Sequence, residues 1–303
     1  MAERRTKGHC GDDDAACKFA ADQAASNAVV QSVRDLVRLA TNTSDADAYA
    51  LAVYRCGVRA IAEPDSGDRA LLSFAQWARI EPGNVIPWLY LANDAEQRHD
   101  QSTSEAALYR AARSQYSDPH WDQILELLSS DAVVGHPPAI ERSLVVTLIG
   151  IRAALPLANQ ANLLRHCSAD ALREPNRAQT CGDLAATLIQ HGHTAIDAAV
   201  GVAIVRKVGG TSPRLAALQD EGDALRWQMS QVQTSAEDMH LLSCDSLRRF
   251  RGESAERAQY GEAGQLRRAL AASGVTTQQA AERWRVANRE RMRLQDKGTS
   301  PPN

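Results

Sequence analysis

Glu81-Pro82-Gly83-Asn84-Val85-Ile86-Pro87-Trp88, then Leu91-Ala92, a polar turn at His99-Asp100, and an Ala-rich stretch through Ala107, Ala111 and Ala112: this segment decides the fold. Pro82 cannot continue an α-helix, so one helix stops before it and another starts after it. The spacing predicts helices over about 86–98 and 103–115. The small residues on the second helix let two backbones approach closely. Such a helix pair cannot bury its apolar face alone and must stack on similar pairs.

These residues resemble the tetratricopeptide pattern. In that family a Trp is followed three residues later by Leu and then by a small residue, as at Trp88, Leu91 and Ala92. An acid-Pro pair stands six residues before the Trp, as at Glu81-Pro82. Two weaker copies resemble it. Upstream, Tyr49 takes the Trp place, Ala52 and Val53 follow, and Ala70, Phe74 and Trp77 lead to Pro82; the turn from Ala62 to Asp68 is longer than the family's. Downstream, Cys181 stands where Trp is usual, Leu184, Ala185 and Leu188 fall at the right offsets, and Gly192 lies in the turn. The resemblance covers roughly half of the chain. A generic helical bundle or solenoid with no family tie gives similar matches. The whole chain also resembles bacterial helical-repeat proteins, which implies no activity.

The resemblance implies an all-α fold, an α-α superhelix or TPR-like helical-hairpin solenoid. Its concave groove would hold a protein or peptide partner, with first-helix positions such as Tyr90, Asn93 and Gln97 lining it. The function implied is a non-catalytic protein–protein interaction scaffold. The alternatives are a disulfide-stabilised cell-envelope structural protein and an all-α hydrolase with a nonlocal carboxylate/His site.

Composition agrees with closely packed helices. Aromatic residues make up 5% of the 303 positions, too few for a β-sandwich. The net charge of −3 hides an asymmetry: Arg248 to Lys297 holds 12 basic and 6 acidic residues, +6, and the remainder 22 and 31, −9. The tail could meet an acidic partner, nucleic acid or an anionic surface. The plainer expectation is an Arg-rich face docked on the acidic body, and nucleic acid is not expected because no nucleic-acid fold signature is present. No run of 18 apolar residues exists, so no membrane span is expected. Met1 to Lys18 lacks the apolar region of an export signal. The compartment is periplasmic if such a signal has been removed and cytoplasmic otherwise; oligomeric state is left open.

Four regions are expected: a flexible polar arm at 1–15, TPR-like repeats at 16–130, a second helical region at 138–236 and Arg-rich helices at 240–303. Helices are expected at about 16–40, 45–61, 67–80, 139–155, 157–167, 176–190, 194–208 and 213–236, besides the pair above. Another begins after Ser117-Asp118-Pro119, with Pro near its first position. Ser129 to Pro138 reads as a loop. The tail should hold helices near 243–251, 254–272 and 276–296.

Cys167 ends one helix and Cys181 starts the next, each seven residues from Glu174 in the turn between them. In an antiparallel hairpin they face each other, so a disulfide is expected if the compartment is oxidising. Cys10 and Cys17 could form a second. Cys56 falls on an inner helix face; Cys244 is ambiguous. His191-Gly192-His193, with His166, Cys167 and Cys181, makes a zinc site conceivable, yet no standard spacing is met and a turn with solvated histidines is the simpler reading. His99-Asp100 resembles the metal doublet of HD-type phosphohydrolases, but the only His upstream is His9. No zinc-protease, nucleophile-elbow, P-loop or dinucleotide motif occurs. No catalytic residue, metal ligand or cofactor is therefore assigned, and an enzyme is the less favoured class.

Overall fold

Asn84 shows how local chemistry starts a helix here. Its backbone is extended, and its Oδ1 accepts from the Ile86 N–H, satisfying a donor that a helix start leaves open. Asp100 does the same for the next helix through the Thr103 N–H. Thr194 and Asp197 form a full capping box at a third.

The computed structural model describes residues 15–59, 71–133, 146–148, 150–151, 158–209, 212–235 and 244–296. Among them the chain is all-helical, with no strand. The helices are α1 (Ala15–Thr41), α2 (Ala46–Arg59), α3 (Phe74–Ile80), α4 (Val85–Gln97), α5 (Gln101–Ala112), α6 (Trp121–Val133), α7 (Ala158–His166), α8 (Arg177–His191), α9 (Ala195–Val208), α10 (Pro213–Ser235), α11 (Cys244–Ala272) and α12 (Thr277–Asp296). The arm at 1–14, the turn at 62–68 and most of the helix expected at 139–155 lie outside the described residues.

Two compact units divide between Ser73 and Phe74. In the first, α1 packs on α2 and buries Val33, Val37 and Cys56. Tyr49 is also buried, and its hydroxyl both accepts from the Ser73 N–H and donates to the Ser73 carbonyl.

In the second unit one core runs through α4, α5, α7, α8, α9 and α10. It includes Leu89, Leu108, Leu163, Leu184, Ile204 and Leu218. Packing follows chain order from α3 to α5, then passes to α8, α9, α10 and α12. The step from α5 to α8 departs from a simple tandem stack, because α6 leaves to pack on α11. The closely packed pairs α4/α5 and α8/α9 contain the segments around Trp88 and Cys181.

Several boundaries differ from expectation for identifiable reasons. The third helix starts at Phe74, not near residue 67; residues 67–70 lie outside the description, and Ser73 is held by Tyr49. The helix after Pro119 starts at Trp121 because His120 has φ +59, a left-handed conformation that interrupts a helix. That helix runs on through Ser129 to Val133, where a loop was expected. The tail break expected near residue 253 is at Gly261, where φ is +68 and ψ is 164. A Cβ there would lie 2.7 Å from both His193 Cγ and its carbonyl oxygen, so only glycine fits. The fully buried indole is Trp77, with Trp88 only partly buried against the core. Trp88 Nε1–H donates to the Pro82 carbonyl at 3.1 Å, pinning the turn before its own helix.

Candidate functional site

Three connectors run side by side and gather a dense group of the second unit's buried polar residues, Asn84, Ser117, Asp118 and His120 among them. The Gln115 and Tyr116 N–H groups donate to the Gly83 carbonyl, and Val85 N–H donates to the Tyr116 carbonyl at 2.8 Å. Ser117 N–H donates to the His191 carbonyl, His193 N–H to the Ser117 carbonyl at 2.8 Å, and Ala263 N–H to the His193 carbonyl at 3.0 Å. Buried backbone groups must find such partners, and here they join the α4, α8 and α11 regions.

Side chains complete the seam. Glu81 Oε2 lies 2.7 Å from His120 Nε2, with both side chains about nine-tenths buried. The same oxygen accepts from Trp77 Nε1–H and Asn84 Nδ2–H, each at 3.2 Å, and Tyr116 Oη–H donates to Glu81 Oε1. Asn84 also bridges to Asp118, donating to its carbonyl at 2.7 Å and accepting from its N–H at 3.0 Å. Asp118 Oδ1 accepts from the His120 N–H and lies 3.3 Å from His193 Nδ1; Oδ2 accepts from Gln123.

Burial alone pushes the Glu81 carboxyl up. The His120 hydrogen bond and charge, then the Asn84 and Tyr116 hydrogen bonds, outweigh it and hold the group below its ordinary value. Tyr116 is pushed up to about 12 by burial, by the Glu81 charge and hydrogen bond, and by the Asp118 charge. A carboxylate and an imidazole at this distance can in principle exchange a proton. Glu81 is also bonded to Trp77, Asn84 and Tyr116, and the His120 N–H to Asp118, contacts that hold the connectors.

The sequence-selected positions fall elsewhere. Tyr90, Asn93 and Gln97 share one face of α4. Tyr90 packs on Phe74 and Trp77, with ring centroids 5.3 and 5.5 Å apart. Asn93 is half-buried and its Oδ1 accepts from Asn162 of α7, while Gln97 is exposed. Cys167 and Cys181 are joined by a disulfide with a Cα–Cα distance of 5.9 Å. Their sulfurs are thus not available to zinc, and among the described residues no cluster of three or more His, Cys, Asp or Glu is placed to hold a metal. The Cys10–Cys17 pairing and the Cys244 side chain lie outside the described residues; Cys56 is buried.

His191 is exposed, but His193 is half-buried against Asp118, which corrects the expectation that both are solvated. His99 has φ +59 at the turn after α4. Asp100 is held down to about 2, first by its hydrogen bonds to Thr103. The doublet therefore serves as a turn and a cap.

The seam residues Glu81, Tyr116, Asp118 and His120 were missed as a group. Glu81 and His120 are 39 positions apart, and Asp118 and His193 are 75 apart. The acid before Pro82 and the His after Pro119 were the only local signals. No protein-family model, no curated protein and no solved structure matches this chain.

Proposed function

We propose that this protein is a non-catalytic, tetratricopeptide-like helical scaffold that binds a protein or peptide partner. One observation carries the reading: Glu81, Asp118, His120 and His193 are engaged in tying helix connectors together. The paired helices α4/α5 and α8/α9 share one core, as a stacked-hairpin scaffold requires. Gln97 stands exposed on the α4 face where the repeat resemblance puts the groove.

The test is affinity capture from the native organism at physiological salt, then reconstitution with the purified partner. The expected result is a stoichiometric complex weakened by Gln97→Arg. Recovery of no protein partner overturns the reading. The Cys167–Cys181 bridge favours a second reading, a structural protein of an oxidising envelope compartment. That reading fails if protein from its own compartment has both thiols open to alkylation before reduction.

A further inference from the structure

The tail's excess of arginine is only partly absorbed by docking. Arg257 binds Asp122 and Glu262, and Arg285 binds Asp220 and Asp223. Where α9, α10 and α12 meet, cations outnumber their partners. Asp223 is fully buried; its Oδ1 accepts from Arg206 at 3.1 Å and its Oδ2 from Arg285 at 3.0 Å. Arg226 reaches no closer than 4.0 Å to that Oδ1 and makes no hydrogen bond among the described residues. It is two-thirds buried beside Arg206 and Arg291. Burial and repulsion from both, against the pull of Asp223, lower its affinity for its proton.

Trp284 lies in the same place. The Arg226 and Arg291 guanidinium carbons stand 5.1 and 5.6 Å from its ring centre. The residue is 8% exposed, and its Nε1–H is buried without a hydrogen-bond partner. Guanidiniums clustered around Asp223 as their shared carboxylate, and a buried indole donor lacking an acceptor, both favour an oxyanion. Arg206 and Arg291 leave the cluster open to solvent.

The geometry points to an anion-binding site at Arg206, Arg226, Trp284 and Arg291 that takes the carboxylates of an acidic, partly apolar peptide segment. Charge complementarity selects the anion. Met292 and Leu294, 53% and 36% exposed just after Arg291 in α12, provide apolar contact that a peptide uses and a phosphate backbone does not. The chain's net charge of −3 and the exposed Glu282 and Glu290 disfavour a long polyanion. The inference rests on the scaffold reading and gives its partner a chemistry.

The test is fluorescence anisotropy of a labelled 12-residue Glu/Leu peptide with the full chain at low salt. Arg206→Ala, Arg291→Ala and Trp284→Phe are compared with the parent, and circular dichroism checks the fold of each. Binding should be salt-sensitive and fall about fivefold or more in each arginine variant, since each removes a charge-assisted contact. Trp284→Phe, which keeps the ring and loses only the N–H, should weaken it severalfold. No peptide binding, or equal binding by folded variants, overturns the site. Tighter binding of single-stranded DNA or anionic vesicles also overturns it. Capture of a native partner that is unchanged in Arg291→Ala would sink this site and leave the scaffold reading standing.

Discussion

Replacing Gly261 by Ala should be among the most damaging single-methyl changes in this protein. Gly261 has φ +68 and ψ 164, a region essentially restricted to glycine, where a side chain costs about 1–3 kcal/mol. The added Cβ would also sit 2.7 Å from His193 Cγ and from the His193 carbonyl oxygen, and 3.0 Å from His193 Cα. That carbonyl accepts from the Ala263 N–H, so it cannot move away without breaking a bond of the seam. Overpacking of this kind costs roughly a further 1–3 kcal/mol. The sum is about 2–6 kcal/mol, a fall in melting temperature on the order of 10 °C for a chain of this size. Urea and thermal unfolding followed by far-ultraviolet circular dichroism measure it. Gly252→Ala is the control: Gly252 lies in the same helix, is exposed, and has nothing within 4 Å of a built Cβ. It should stabilise by about 0.5–1 kcal/mol, because Ala outranks Gly in a helix. A Gly261→Ala variant within about 0.5 kcal/mol of the parent would refute the close approach of α11 to the α8–α9 turn.

Other perturbations probe the seam and the bridge. Glu81→Gln should cost about 2 kcal/mol near neutral pH, since it removes charged hydrogen bonds in a buried setting. The folded-state pKa of Glu81 is depressed from 4.5, so its contribution is present above that value and lost as pH falls through the lower folded value. The parent should lose stability over that acid window and Glu81→Gln should lose less; parallel pH–stability curves would contradict this. Reducing Cys167–Cys181 should cost about 3 kcal/mol for a loop of this length, read from denaturation midpoints with and without reductant. Arg177 is buried, but its partners Glu105 of α5 and Glu174 are 40% and 55% exposed and stay hydrated without it, so Arg177→Ala should cost only about 1 kcal/mol, and equal stability would show the pair to be idle.

What could be read from the sequence was local. Pro82 and Asn84 mark a stop and a start, and the α4/α5 boundaries agree with the spacing to within three residues. Cys167 and Cys181 could be paired because one hairpin turn separates them. What could not be read was nonlocal or conformational. His120, directly after Pro119, adopts left-handed backbone and delays the helix to Trp121, and its partner Glu81 belongs to another helix pair. The α5-to-α8 packing step has no local signature, because it depends on where α6 docks. The tail arginines showed an excess of charge, but only the fold separates Arg257 and Arg285, which bind carboxylates, from Arg291, which stands over the Trp284 ring.

Native-state hydrogen exchange tests the central claim most directly, that the connectors lock the helix pairs of the second unit together. The Val85, Ser117, His193 and Ala263 amides should open with the same free energy as the core of α4 and α8, and Glu81→Gln should lower all of them together. Exchange of these four amides at rates typical of exposed loops, while α4 and α8 stay protected, would contradict it.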